Sequence, residues 1–236
     1  MSESPLMQLP EGFRALIVGA SGAIGEAFQQ ALQQDPRCAE VLGLHRQSSI
    51  PIDFAQEASI AAAADALKSA GPFHLIINAA GLLHQAQQMP EKQLSQLSYA
   101  QMLNNFSVNT LGPALLMRHF TPLLDKQQAL MALLSAKVGS IEDNRLGGWY
   151  SYRASKAALN MLVKTAAIEL RRTQPHTVLV ALHPGTVSSA LSAPFRGAEI
   201  GRPASQAAAE MLTVLGRLTP ADSGHFLSYT GEVLPW

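Results

Sequence analysis

Tyr152 and Lys156, in the stretch YSYRASK, have the residue types and the spacing of a tuned proton donor. Four residues apart on a helix, they share a face. A neighbouring ammonium favours phenolate over phenol and pulls a tyrosine pKa down from about 10. A proton donor works best when its pKa approaches the operating pH. Taken alone, the pair also reads as two solvated side chains on a first helical turn, so the elements that position it have to decide.

Those elements alternate. Apolar runs at 14–20, 41–46, 74–81, 128–136, 177–185 and 225–229 read as strands, and SIPIDF (49–54) allows a further short one. Helical patterns fall at 23–34, 58–70 and 151–171, from Pro90 through Leu111, and at 204–218. Near-continuous apolar strands spaced by helices predict a parallel sheet covered on both faces, hence an α/β doubly wound (Rossmann) domain with a seven-stranded sheet. No linker, repeat or low-complexity tract divides residues 1–236, so one domain is expected. The segment 186–203, rich in Ser, Ala, Gly and Pro and without periodicity, reads as a mobile flap.

Between the first strand and helix stands VGASGAIG, with Gly19 leaving the strand, Gly22 in the turn and Gly25 opening the helix. Glycines there permit a tight turn, approach of backbone N–H groups to a pyrophosphate, and close helix–strand packing. The strict G-x-G-x-x-G is not matched, and a plain structural turn is the alternative. Position favours a dinucleotide. About twenty residues on, where an acidic residue would hold an adenosine ribose, the chain has His45 and Arg46. An arginine can hold a 2′-phosphate by bidentate hydrogen bonds, which predicts NADP(H) over NAD(H); an exposed strand-end arginine is the bland reading.

Composition narrows the classes. Apolar residues make up 47 % and charged residues only 14 %, with 17 basic residues against 17 acidic ones and no basic run, so no nucleic-acid or membrane surface is expected. The single Cys38 excludes an internal disulfide and suits a reducing compartment. No CxxC or HExxH motif suggests a metal. The first residues lack a signal-peptide layout, and no apolar run spans a bilayer, so a cytoplasmic location is expected.

Together, Gly19 to Gly25, NAAG (78–81), Asn109, Tyr152/Lys156 and HPG (183–185) resemble the short-chain dehydrogenase/reductase family, in order and over almost the whole chain. GGWYSYRASKAALN and SGHFLSYTGEVLPW are similar to its small carbonyl reductases of the sniffer and bacterial C-factor kind. The resemblance implies that Tyr152 exchanges a proton with a carbonyl or alcohol oxygen. Lys156 would lower its pKa and hold the nicotinamide ribose, and Asn109 would anchor a water relaying protons to Lys156; a satisfied helix–helix amide is the alternative for Asn109. Gly19, Ser21, Gly22, Ile24 and Gly25 would cradle the cofactor, with Ser21 and Arg46 at the 2′-phosphate. Asp53 would reach the adenine, and Asn78, Ala79 and Gly81 would pass the adenosine side. Pro184, Gly185, Val187 and Ser189 would face the nicotinamide. Pairing of the Tyr152 helix and its predecessor implies a homodimer or homotetramer.

One departure stands out. The family usually ends its central strand with two serines, the second orienting the substrate carbonyl; here LLSAKVGS puts Ser135 in the first place and Ala136 in the second. Ser135 rotates in, Ser140 substitutes, or no serine takes part, with Ser140 the least favoured. The apolar Ala190, Leu191, Ala193, Pro194 and Phe195 suit a small to medium hydrophobic ketone, aldehyde or quinone. Glu142 and Asp143 read as solvated, His84 as a surface or site-mouth residue, and Trp149 and Tyr150 as a pocket wall, a core edge or a subunit contact. A nucleotide-binding regulatory protein, or an isomerase or dehydratase on the same scaffold, are the rivals.

Overall fold

The computed structural model describes residues 4–85 and 88–236. Strands β1 (Phe13–Val18), β2 (Cys38–Leu44), β3 (Leu75–Asn78), β4 (Ala129–Leu134), β5 (Thr177–His183) and β6 (Phe226–Ser228) form one sheet in the order β2-β1-β3-β4-β5-β6. Every neighbouring pair is parallel. Helices α1 (Ala23–Gln33), α2 (Glu57–Ala66), α3 (Tyr99–Phe106), α4 (Gly112–Phe120), α5 (Tyr150–Thr173), α6 (Gly197–Ile200) and α7 (Ala204–Leu215) complete the chain.

Side chains alternate across a strand, and here both sets are buried. Leu16 and Val18 of β1 and Met131 and Leu133 of β4 face one core with Leu159 and Val163 of α5. Ala15, Ile17, Leu130 and Ala132 face the other with Phe28 of α1 and Met211 of α7. This two-sided burial is why the strands read as unbroken apolar runs. The connection leaving β1 runs to β2 on one side, and the connection leaving β3 runs to β4 on the other. That reversal opens a crevice at the carboxyl ends of β1 and β3, the place where doubly wound sheets take ligands.

The sheet has six strands, not seven. The expected strand at 49–54 is absent: Pro51 has no N–H to give a ladder, and the Ser48 hydroxyl, bonded to the carbonyls of His45 and Ile50, curls the chain back instead. The expected helix after Pro90 begins only at Tyr99, capped by Ser98, whose hydroxyl accepts the Gln101 N–H. It then passes through a π-helical turn, Ser107–Leu111, before α4. The segment 186–203 is not featureless. It contains the 3₁₀ turn Ala193–Phe195 and α6, and a bridge between Val187 and Arg202 closes it at the base.

Candidate active site

Helix α5 carries Tyr152 in its first turn and Lys156 one turn later, both buried. Their hydroxyl and ammonium do not bond each other. The Lys156 Nζ donates to the Leu134 carbonyl at 2.9 Å and lies 5.9 Å from the Tyr152 ring centre. Desolvation disfavours the charged form of each. Burial pushes the Lys156 ammonium down to about 8 and the Tyr152 phenol up from its usual range. Burial is the one cause acting on the phenol here, since the hydroxyl–ammonium contact that would pull it down is not formed.

The π-helical turn widens the helix and brings Asn109 fully inside, a form of backbone common at functional sites. Its Oδ1 accepts the Leu82 N–H at 2.8 Å, and its Nδ2 donates to the Leu82 carbonyl at 2.7 Å and the Ser155 hydroxyl at 3.1 Å. Asn109 thus ties the loop after β3 to α5. A side chain on Gly81 would stand 3.6 Å from the Asn109 Oδ1 and 3.7 Å from the Lys156 Nζ, so these three residues border one small space.

Around Tyr152 the surroundings are apolar. Leu83 and Ala136 pack against it, joined by Val138, Trp149 and Phe195. The Trp149 ring centre lies 6.2 Å from that of Tyr152 and 4.8 Å from that of Phe195. His84 meets Phe195 edge-on at 5.7 Å, and its Nε2 is 3.1 Å from the Leu191 carbonyl oxygen, so it sits at the mouth of the site rather than on open surface. Segment 186–203 therefore rests on this wall through Phe195.

Neither serine near β4 faces Tyr152. Ser135 donates to the Asn160 Oδ1 at 2.6 Å, deep on the α5 side of the sheet. Ser140 donates to the Trp236 carbonyl at 3.1 Å and accepts the Asp143 N–H. Ala136 instead belongs to the apolar cluster that contains Tyr152. Glu142 and Asp143 are exposed, as expected, with Asp143 3.7 Å from the Lys137 Nζ.

A cleft of about 510 Å³ extends from the end of β1 past β2, lined among others by Gly19, Ser21, Gly22, Arg46, Asp53, Ala79 and Gly81. Gly19 has φ +83°, and a Cβ there would sit 2.6 Å from the Ala80 nitrogen; one on Gly25 would lie 2.2 Å from the Gly19 carbonyl oxygen. The turn exists only because these residues lack side chains. Ile24, partly buried, packs on the core from the first turn of α1. Arg46 is exposed and forms no ion pair among the described residues. Asn78 has a buried Nδ2 with no partner among the described residues, while its Oδ1 accepts the Ala80 N–H. A glycine cradle and an unpaired cation along one cleft fit a bound dinucleotide phosphate.

At the far end, Gly185 has φ +71° and Val187 is buried. Ser189 is engaged locally: its N–H donates to the Ser192 Oγ at 3.1 Å, and the two hydroxyl oxygens lie 3.3 Å apart. The Arg202 guanidinium donates to the Pro184 carbonyl, lies 3.5 Å over the Tyr229 ring and pairs with Glu210. This clamp on the Pro184–Gly185 turn was not read from sequence, since its members are joined only by the fold. His183, one residue earlier, is pushed down to about 4 by burial and by the charges of Lys137 and Arg202.

Residues 14–199 match the short chain dehydrogenase family, and the chain belongs to it. Among its relatives is C-signal from Myxococcus xanthus, 38 % identical over 170 residues that cover 70 % of this chain and 94 % of that one. Another is the 1-hydroxy-2-glutathionyl-2-methyl-3-butene dehydrogenase of Rhodococcus sp. strain AD45, 32 % identical over 185 residues and 78 % of each chain. The NADPH-bound carbonyl reductase from chicken fatty liver superposes with a TM-score of 0.81 at 27 % identity, covering 97 % of this chain and all of that one, 100 %. Carbonyl reductase Sniffer of D. melanogaster, with a TM-score of 0.82 over 94 % of this chain and 99 % of that one, shares the fold at 21 % identity.

Proposed function

We propose that this protein is an NADP(H)-dependent oxidoreductase that interconverts a carbonyl and an alcohol on a small to medium apolar substrate. The observation that carries the reading is the placement of the Tyr152 phenol against the apolar cluster of Leu83, Ala136, Trp149 and Phe195, with Lys156 one turn behind it. Bound NADP(H) supplies or accepts the hydride. Tyr152 gives the proton to the nascent alkoxide and recovers it in the reverse direction. Lys156, buried on the same helix face and held by the Leu134 carbonyl, is the cation that would return a proton to the phenolate. Asn109 keeps the Gly81–Leu82 loop on α5 and with it the shape of the space beside Lys156. Ser135 does not act on the substrate in this scheme, because its hydroxyl serves Asn160.

The glycine turn from Gly19 to Gly25, with Ser21, Arg46, Asp53, Asn78, Ala79 and Gly81, would hold the phosphates and adenosine. Pro184, Gly185, Val187 and Ser189 would hold the nicotinamide end. The chain of 236 residues is read as one domain, with 186–203 as a substrate flap whose Phe195 excludes water from the phenol. Apolar side chains on the outer faces of α3 and α5, Tyr99, Leu103, Met161 and Ile168, support pairing into a homodimer or homotetramer. A cytoplasmic location belongs to the same reading; no described helix is long and apolar enough to cross a membrane.

The test is NADPH oxidation by the purified protein across apolar aldehydes, ketones and quinones, with alcohol identified as product. Tight NADPH binding without turnover of any of them would favour a second reading, a nucleotide-binding regulatory protein. That reading has one observation in its favour: Ala136 stands beside Tyr152 while Ser135 and Ser140 are both engaged elsewhere.

A further inference from the structure

Helix α5 starts without a cap of its own. Its N-cap residue is Trp149, which has no side-chain acceptor and a left-handed backbone, φ 52°. Gly147 and Gly148 before it are left-handed too, with φ 64° and 63°. Two glycines take that conformation freely, but a tryptophan does not, and such a residue persists only where its surroundings hold it. The first N–H groups of a helix also need partners from outside it.

Glu91 supplies both requirements from 60 residues upstream. Its main-chain carbonyl accepts the Trp149 N–H at 2.5 Å. Its carboxylate accepts the Ser151 N–H at 3.2 Å and the Ser151 hydroxyl. On the other side of the turn, the Arg153 Nε donates to the carbonyls of Gly147 at 3.2 Å and Gly148 at 3.0 Å. Glu91 is only 2 % exposed and Ser151 fully buried. A carboxylate so buried requires charge compensation or several donors. Among the described residues it forms no ion pair with Lys, Arg or His. Its compensation is the helix N-terminus itself.

The residue after Ser151 is Tyr152, and the residue Glu91 holds through its carbonyl is Trp149, the pocket wall. We infer that Glu91 is a positioning residue for the reaction: it caps α5 from outside and thereby sets where the Tyr152 hydroxyl and the Trp149 ring stand. This inference rests on the reductase reading and names a residue that reading does not use. Farther along, α5 is held by Leu159, Val163, Ala167 and Leu170 in the core. Loss of the Glu91 carboxylate therefore disturbs the first turn and leaves the rest of the helix, and the cofactor cleft, in place.

Glu91→Gln tests this with little change of shape. The amide removes the negative charge facing the helix N-terminus, keeps one oxygen to accept the Ser151 N–H, and sets an NH₂ against the Ser151 hydroxyl, which must then give up donating there. A displacement of about 1 Å at a reacting group can cost on the order of 10²-fold in rate. The expected result is a kcat lowered about tenfold or more and a larger solvent deuterium isotope effect, as proton transfer from a misplaced phenol becomes limiting. KM for the carbonyl and Kd for NADPH should stay within a few-fold of wild type. An unchanged kcat overturns the inference, and so does a loss of kcat that only tracks weaker NADPH binding and early melting. Amide hydrogen exchange supplies an arm independent of turnover. The Ser151 and Tyr152 amides should exchange about tenfold faster in Glu91→Gln while the Leu159 amide is unaffected, in keeping with local opening of one turn; equal exchange in the two proteins overturns the inference. If wild type reduces no carbonyl, the reductase reading has failed by itself, and the exchange measurement still decides whether Glu91 fixes the start of α5.

Discussion

Replacing Ala136 with serine adds one hydroxyl to the apolar cluster around Tyr152. Ala136 is in extended conformation, φ −146° and ψ 140°, at the carboxyl end of β4 and is 9 % exposed, so a serine fits its backbone without strain. Two opposing terms follow. Without substrate the new hydroxyl faces Leu83 and the Tyr152 ring, and an unsatisfied buried hydroxyl costs about 1–3 kcal/mol. In the transition state the same group can donate to an oxygen gaining negative charge, where one donor is worth about 10²–10³ in rate, or roughly 3–4 kcal/mol. Ala136 keeps some exposure, so the first term falls near its lower end and the second dominates. The expected outcome is a rise in kcat/KM of about 10- to 100-fold for simple apolar ketones, with a melting temperature lower by about 2–4 °C. Steady-state NADPH oxidation over a ketone series, beside thermal melts, measures both. No gain in kcat/KM with a stably folded variant would refute the reasoning, by showing that the carbonyl oxygen does not approach Ala136.

Lys156 gives a stability signature in the cofactor-free protein. Its pKa falls from 10.5 to about 8 on burial, so between those values the unfolded chain binds more protons than the folded one. Stability from this group is full above 10.5, lost as pH falls through 8, and bounded at about 3 kcal/mol. The raised Tyr152 works oppositely, losing stability as pH rises beyond its ordinary value of 10. Lys156→Met should therefore flatten the rise in melting temperature between pH 8 and 10; an unchanged slope would show that another group carries it. Arg46→Ala removes the unpaired cation from the adenosine end of the cleft. It should weaken NADPH binding about 10- to 100-fold and leave NADH binding nearly unchanged, as loss of charge-assisted hydrogen bonds would do; equal losses for the two cofactors would remove Arg46 from 2′-phosphate recognition. Sedimentation of the wild type should give a species heavier than one 25.2 kDa chain, and Met161→Lys should shift it toward the monomer; a wild type that is already monomeric at micromolar concentration contradicts the proposed pairing.

Sequence pattern revealed what burial imposes on single elements. β1, β4 and β5 were legible because residues on both of their faces enter a core, which leaves an uninterrupted apolar signature. Helix α5 was legible over 151–171, where Leu159, Val163 and Ala167 prove to share its buried face, and the glycine turn because no other residue fits at Gly19 and Gly25. The missing seventh strand was misread from Ile50, Ile52 and Phe54, whose burial comes from packing beneath a loop rather than from a ladder. What sequence left open were pairings between distant polar groups. Ser135 with Asn160, Glu91 with Ser151, and Arg202 with Pro184, Glu210 and Tyr229 come from separate elements, and no local spacing signals them. The serine question belongs to this class: LLSAKVGS could be aligned, but only the Ser135–Asn160 hydrogen bond tells which way the hydroxyl turns.

In the proposed reaction Tyr152 protonates a carbonyl as hydride arrives from the bound cofactor. Its most direct measurement uses NADPH carrying deuterium in both C4 positions, an apolar ketone, and the wild-type and Tyr152→Phe proteins, with product analysed by mass spectrometry. Wild type should give alcohol with one deuterium on the carbinol carbon. Tyr152→Phe should form product at least about 10²-fold more slowly, at unchanged NADPH affinity. Deuterated alcohol formed equally fast by both proteins would contradict that role for Tyr152.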